Sequence, residues 1–407
     1  MNIARRSVLA GASAVIGSVA LGACGAPSAP NAGPSAQGSS AVPDKPSKPV
    51  ALNILDVAGN LQLTQGMIDD FKAKNADIVS SITTSAAKAP ELVGKIKAQQ
   101  DAGRLDIAMV LTGTDGLAGG LSQNIWQPLL PANESVLSGM KNYLDPAAKM
   151  QTLAGNFGVC ITYYPSGPLI EYMPARVSTP PTSADELLAW AKAHPNKFEY
   201  AQPANSGPGR TLLMGLPYIL GDSDPMDPAK GWDKTWAYLK ELGQYISVYP
   251  SGTTQTMKDL ASGSVDIIAS TTGWDINPRA LGTVPTEAKV GTLKGFKWVT
   301  DAHYVVVPKG VSEDQLTAVV RLIAWMLKPD QQAKAYDKGY FYPGPAIKDV
   351  TPQMAPQESQ DVIAKFGRPE YDKLIADNPK VVPLPYEAMV AAFDMWNRNI
   401  AGSKAAK

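Results

Sequence analysis

Between residues 50 and 111 the chain repeats one pattern, a β-prone run followed by a helical one, and few folds accommodate that repeat. Residues 50–57 (VALNILDV) alternate like a strand, and residues 59–65 read as a turn. Residues 66–75 (GMIDDFKAKN) then place Met67, Ile68 and Phe71 at helical spacing. A second strand over 78–84, a helix over 90–102 and a short apolar strand over 106–111 (DIAMVL) follow. Strand–helix–strand–helix–strand predicts a parallel α/β sheet. Such sheets bind ligands beyond the carboxyl ends of their strands. The loops over 58–64 and 112–115 therefore bring Asn60, Gln62, Thr112 and Asp115 forward as contact candidates.

A second α/β region follows. Residues 156–164 (NFGVCITYY) form a β-prone run that ends on Tyr163 and Tyr164, and Tyr164 is a candidate for the cleft. A helix is expected over 183–194, with Ser183 as N-cap and Glu186 three residues on. The strand at 198–200 runs into NSGPGR (205–210) and an apolar helix over 211–220. Ser206, Gly207 and Arg210 would then stand at a helix start, where free N–H groups and the dipole favour an anion or a carbonyl. The bland alternative is a plain cap with a solvated arginine. After a helix over 254–262, the strand 265–270 (VDIIAS) delivers Trp274 and Asp275 at its carboxyl end. A Trp face beside a carboxylate can hold an ammonium; the alternative is a core Trp and a turn-forming Asp. A strand over 298–308, a helix over 312–327 and further helices broken by a loop at 339–345 complete the chain. The loop's aromatics, Tyr340 to Tyr342, read chiefly as packing.

The N-terminus has a different character. Arg5 and Arg6 precede an uncharged run of small and apolar residues over 7–23. At about 17 residues it is too short for a comfortable spanning helix, and it reads as an export signal. Its end, Leu21-Gly22-Ala23-Cys24, resembles the lipobox of bacterial lipoproteins, which implies cleavage before Cys24 and a diacylglyceryl group on its sulfur. The Arg5-Arg6 pair resembles a twin-arginine signal, so export by either the Tat or the Sec route is open. Residues 25–48, rich in Gly, Ala, Pro and Ser, read as a tether.

Composition removes several function classes. The 37 basic and 37 acidic residues balance without a basic block, which argues against nucleic acid as a partner. With Cys24 used by the lipid, Cys160 has no disulfide partner. His194 and His303 stand alone, and no zinc, P-loop, dinucleotide or nucleophile-elbow motif is present, so no cofactor or metal is expected. The stretch GDSDPMDP (221–228) has Met226 and Asp227 where a calcium loop needs a ligand and a glycine, and reads as a solvated turn. Roughly 360 residues after the tether exceed one core, so two lobes are expected.

The ordered set of segments resembles the extracellular solute-binding proteins of ABC importers, family 1, which includes polyamine-, thiamine- and ferric-ion-binding members. Residues 51–75, 105–111, 259–270 (DLASGSVDIIAS) and 304–330 (YVVVPKGVSEDQLTAVVRLIAWMLKPD) carry it. The resemblance implies a two-lobed, periplasmic-binding-protein-like (type II) α/β fold with a ligand cleft between the lobes. The expected layout is a signal peptide over 1–23 and the lipidated Cys24 with its tether over 24–48. Lobe 1 then takes 49–157 and lobe 2 takes 158–298; lobe 1 resumes over 299–345, and C-terminal helices fill 346–407. The implied partners are a small-molecule solute, an ABC permease with its ATPase subunits, and a membrane reached through the N-terminal lipid. The body is expected to be a monomer on the periplasmic side of the inner membrane or at the cell surface. An amine-bearing solute, polyamine-like or thiamine-like, is the preferred cargo. The alternatives are ferric ion at Tyr163-Tyr164, a thiaminase I type enzyme using Cys160, and an adhesion lipoprotein with no small ligand.

Overall fold

A computed structural model describes residues 41–87 and 89–406 of the chain. The export signal with Arg5 and Arg6, the lipobox with Cys24 and most of the tether lie outside the described residues. Before the first strand the chain is already bound to the body: Val42 N donates to Asn133 Oδ1 at 2.9 Å, and Ser47 donates twice to Asp314 at 2.7 and 2.6 Å.

Lobe 1 opens with β1 (Val50–Asp56), α1 (Leu61–Lys74), β2 (Val79–Ala86), α2 (Ala89–Asp101), β3 (Met109–Thr112), α3 (Thr114–Ser122) and α4 (Asp145–Ala154). β1 lies between β2 and β3 and is parallel to both, as the repeat predicts. Helix α1 starts within the stretch expected as a turn. The reason is Asp56, whose carboxylate accepts from the N–H groups of Ala58, Asn60 and Leu61 at 3.0–3.1 Å and caps the helix from the strand end. Leu63, Met67, Ile68 and Phe71 then form the buried stripe of α1. Asp115 likewise sits in the first turn of α3 rather than in a loop.

Strand β4 (Gly158–Gly167) carries the chain to lobe 2. There follow β5 (Leu169–Tyr172), α5 (Ala184–Ala193), β6 (Phe198–Glu199), α6 (Gly207–Leu220), α7 (Asp233–Leu242), α8 (Thr253–Ser262), β7 (Ile267–Ser270), α9 (Ile276–Ala280) and β8 (Lys289–Gly291). The lobe 2 sheet has the order β6-β7-β5-β8. Ser183 caps α5 by accepting from Glu186 N, as its sequence predicts. Helix α6 begins four residues before the expected start, because Ser206 Oγ accepts from Gly209 N at 3.1 Å and Pro208 suits the first turn.

Strand β9 (Trp298–Val306) returns to lobe 1, paired antiparallel to β4 from Gly158↔Val306 to Gly167↔Val299. It leads to α10 (Glu313–Met326), α11 (Pro329–Gln332) and β10 (Gly344–Pro345), which completes the run β10-β4-β9-β3-β1-β2 of the lobe 1 sheet. The C-terminal part forms α12 (Gln357–Phe366), α13 (Glu370–Asp377), β11 (Lys380–Val381) and α14 (Tyr386–Trp396). It crosses the lobes a third time. β11 pairs with β9 at Trp298 and Val299, and α14 places Met389, Ala392 and Trp396 in the lobe 2 core with Leu213, Trp232 and Ile267. The lobe 1 core is separate and gathers Leu52, Met109, Val306 and Ile323. The architecture is therefore a two-lobed, periplasmic-binding-protein-like α/β fold.

Candidate functional site

Loops at the carboxyl ends of strands from both lobes enclose a cavity of about 410 Å³. Its lobe 1 side is made by Val57 and Ala58 after β1, Gly113 and Asp115 after β3, and Phe341 before β10. Its lobe 2 side is made by the starts of two helices, Ser206 and Gly207 of α6 and Gly252 and Thr253 of α8. Ser206 Oγ and Thr253 Oγ1 join these starts at 2.8 Å. Trp274, in the short turn after β7, closes the lobe 2 side. Tyr164 of β4 and His303 of β9 form the floor where the lobes meet.

The electrostatic centre is Arg210. Its guanidinium, from α6 in lobe 2, donates to Asp301 Oδ2 at 2.5 Å and lies 3.3 Å from Asp115 Oδ2 in lobe 1. Asp301 also accepts from Tyr164 OH at 2.9 Å, Thr114 Oγ1 at 2.6 Å and Ala302 N at 2.9 Å. Burial raises the Asp301 pKa, but Arg210 and Thr114 outweigh it and hold the carboxyl below its ordinary range. His303 is driven the other way: burial disfavours its cation and depresses its pKa, despite Asp301, Asp56 and Asp115 nearby. Its Nδ1 is 3.1 Å from Thr162 Oγ1. Above these groups stands an aromatic wall. Phe341 lies 4.9 Å from Tyr164, 4.5 Å from His303 and 6.2 Å from Trp274, centroid to centroid.

Six of the ten residues that sequence reasoning brought forward as ligand contacts line this cavity: Trp274, Arg210, Ser206, Gly207, Tyr164 and Asp115. Asp275, Asn60, Gln62 and Thr112 do not. Asp275 is fully buried and turned away, accepting from Arg279 Nε at 2.9 Å, Arg368 Nε and Nη2 at 2.6 and 2.7 Å, and Tyr371 OH at 2.6 Å. With two guanidiniums on it, this carboxylate has no capacity left for a ligand ammonium; it anchors the Trp274 turn to the C-terminal helices. Asn60 is fully buried behind the wall, and its side-chain amide has no partner among the described residues. Thr112 is buried and bonds to Gly113 O, while Gln62 is exposed on α1.

Sequence reasoning passed over Asp301 and Thr253, read the aromatics of 340–342, Phe341 among them, chiefly as packing rather than as a wall of the site, and read His303 as structural. Asp301 had a usable signal: it is the one charged residue in the nine-residue strand WVTDAHYVV, and a carboxylate in such a strand requires partners.

The sequence from 66 to 365 matches the family model described as bacterial extracellular solute-binding protein. The chain belongs to that family. No curated protein matches this solute-binding protein in sequence. Among solved structures, an ABC transporter from Clostridium perfringens is similar at a TM-score of 0.62 and 14% identity, over 86% of this chain and 100% of that one. A putative spermidine/putrescine ABC transporter from Listeria monocytogenes gives 0.57 and 15%, over 85% and 99%. Apo ferric ion-binding protein A from Pasteurella haemolytica gives 0.60 and 15%, over 86% and 97%. These likenesses establish the two-lobed fold of the solute-binding protein; the cargo has to be argued from its own cavity.

Proposed function

We propose that this solute-binding protein is the cargo-capturing component of an ABC importer, anchored outside the cytoplasmic membrane by a lipid on Cys24, and that its cargo is a small polar organic solute bearing an amine. The observation that carries the reading is the cavity's two-sided lining. Asp115, held at one oxygen by Arg210, is the carboxylate of the lining, and Trp274 and Phe341 add aromatic faces to the same cavity, a set suited to a cationic nitrogen. Opposite it, the starts of α6 and α8 offer N–H groups and hydroxyls to a carboxylate, phosphate or carbonyl group on the same molecule. The Asp115 carboxylate takes over the role that sequence reasoning gave to Asp275. A ligand touching both walls favours the closed arrangement, and a permease that docks on that arrangement receives the cargo.

The rival readings find less support. The Cys160 thiol is buried and donates to Thr162 O at 3.5 Å, and burial raises its pKa, whereas a nucleophile requires the reverse. For ferric ion, the hydroxyl of Tyr164 is committed to Asp301, Tyr163 does not line the cavity, and no group of three His, Cys, Asp or Glu is arranged for a metal among the described residues.

Thermal unfolding against polyamines, thiamine, amino acids, sugars, phosphonates and ferric ion tests the reading. A ligand at a hundredfold excess over its Kd adds about 2.7 kcal/mol, a shift of a few degrees for a chain of this size. An amine should produce the shift, and Asp115→Asn and Trp274→Ala should each weaken its binding at least tenfold. A response confined to sugars or phosphonates, or equal affinity in both variants, refutes the amine assignment.

A further inference from the structure

The floor of the ligand cavity holds one buried polar side chain with half of its bonding capacity unspent. His303 lies on β9, and its ring is held between Phe341, edge to face at 4.5 Å, and Tyr164, tilted at 6.1 Å. Nδ1 lies 3.1 Å from Thr162 Oγ1 on β4. The opposite edge of the ring, at Cδ2, faces Gly113 of the cavity wall. Nε2, bonded to that carbon, has no hydrogen-bond partner among the described residues.

The Thr162 contact decides which nitrogen carries the proton. Thr162 is fully buried, and its hydroxyl has no other partner among the described residues. A proton on Nδ1 would leave the hydroxyl hydrogen buried without an acceptor, a costly arrangement. The hydroxyl therefore donates to Nδ1, and the proton of the neutral ring sits on Nε2. Burial disfavours the imidazolium and keeps the ring neutral in spite of Asp301, Asp56 and Asp115. His303 thus presents a single N–H to the cavity, and such a donor cannot serve an ammonium. We infer that His303 is a specificity-determining residue of the ligand cavity, whose Nε2–H donates to an uncharged oxygen of the cargo, a hydroxyl or a carbonyl. The inference rests on the amine reading above and narrows it. Around the ring three carboxylates, Asp301, Asp56 and Asp115, stand against one guanidinium, Arg210. An anionic group at the floor would add to that excess, whereas a neutral oxygen accepts the same bond without it. A carboxylate or phosphate of the cargo belongs instead at the helix starts of lobe 2. An amine without oxygen would leave Nε2–H unpaired in the closed cavity, so the site should discriminate against it.

NMR of the imidazole nitrogens in the full chain tests this, because the chain has two histidines and the other serves as reference. His194 is exposed, and its Nδ1 lies 2.9 Å from the Trp190 carbonyl oxygen, which can only accept, so its neutral ring carries the proton on Nδ1. The two rings should show opposite tautomers at neutral pH. A proton on Nδ1 of His303, or an imidazolium there, overturns the inference. Three probes, γ-aminobutyramide, γ-aminobutyrate and putrescine, share an ammonium and a similar chain and differ at the far end. The amide should move the His303 Nε2–H resonance more than the acid does, and putrescine should bind about tenfold or more weakly than the amide. His303→Leu should level that preference, and His303→Gln, which keeps a donor at similar reach, should retain part of it. A preference for putrescine, a larger Nε2–H shift with the acid, an amide that binds without moving Nε2–H, or an undiminished preference in His303→Leu overturns the inference and leaves the amine reading standing. Three probes that change neither the melting temperature nor the His303 resonances overturn both.

Discussion

At the scale of single residues, the buried charges divide by the number of donors they collect. Asp275 accepts from two arginines and a tyrosine, so its loss strands two buried guanidiniums. Asp275→Asn should destabilise the protein by about 3–5 kcal/mol in urea unfolding, the range for breaking a buried pair from one side. Glu171 on β5 has the opposite fate. Burial and the Asp275 charge push it up to about 8, and Ser270 Oγ is its hydrogen-bond donor at 2.8 Å. Below its ordinary pKa of 4.5 both folded and unfolded forms carry the proton, and this group leaves stability unchanged. Between pH 4.5 and 8 the folded form holds a proton that the unfolded chain has released, so stability falls as pH rises. Glu171→Gln should flatten that alkaline decline in melts taken from pH 5 to 9; an unchanged slope would show that Glu171 is ionised in the fold. This scale was the least legible in sequence. Arg279, four residues on, is the one local sign that Asp275 is engaged; Arg368 and Tyr371, which complete its shell, stand 93 and 96 residues away.

Elements were easier to read. The βαβαβ repeat, the Ser183 cap and the β9 strand all follow from local spacing, and the structure reproduces them. The errors fall at helix starts, where a distant or non-helical side chain decides the boundary: Asp56 for α1 and Ser206 for α6. The start of α6 also depends on close approach. A Cβ at Gly209 would stand 2.1 Å from the Ala201 carbonyl oxygen, which is backbone and cannot yield cheaply. Gly209→Ala should therefore displace the start of α6, lowering both the melting temperature and solute affinity. Gly207→Ala, whose Cβ would meet only the Tyr164 hydroxyl at 3.9 Å, should spare the melting temperature.

For the molecule as a whole, the Arg210–Asp115 contact is the charged link from lobe 2 to lobe 1 across the cavity, while Asp301 holds the same guanidinium at the strands where the lobes meet. Asp115→Asn should weaken closure in the ligand-free protein and enlarge its radius of gyration in solution scattering. An unchanged radius would mean that Phe341 against the Gly273–Trp274 turn holds the lobes together without the ion pair. The two-lobe plan was legible from chain length and segment order. The ownership of the C-terminal helices was not, because an amphipathic helix does not announce which core it joins; α14 belongs to lobe 2.

That membership means the lobes are connected by three spans: the end of β4, the start of β9 and β11. Gly167 and Val381 are both paired with Val299, so the spans run side by side in one sheet. Three adjacent ribbons act like the knuckles of a door hinge. They permit rotation about a single line and resist twist and sliding, so the lobe rims meet in the same register at each closure. In the importer role proposed above, a hinge of this kind leaves two arrangements to tell apart, shut and ajar, and the cargo would act through the lifetime of the first.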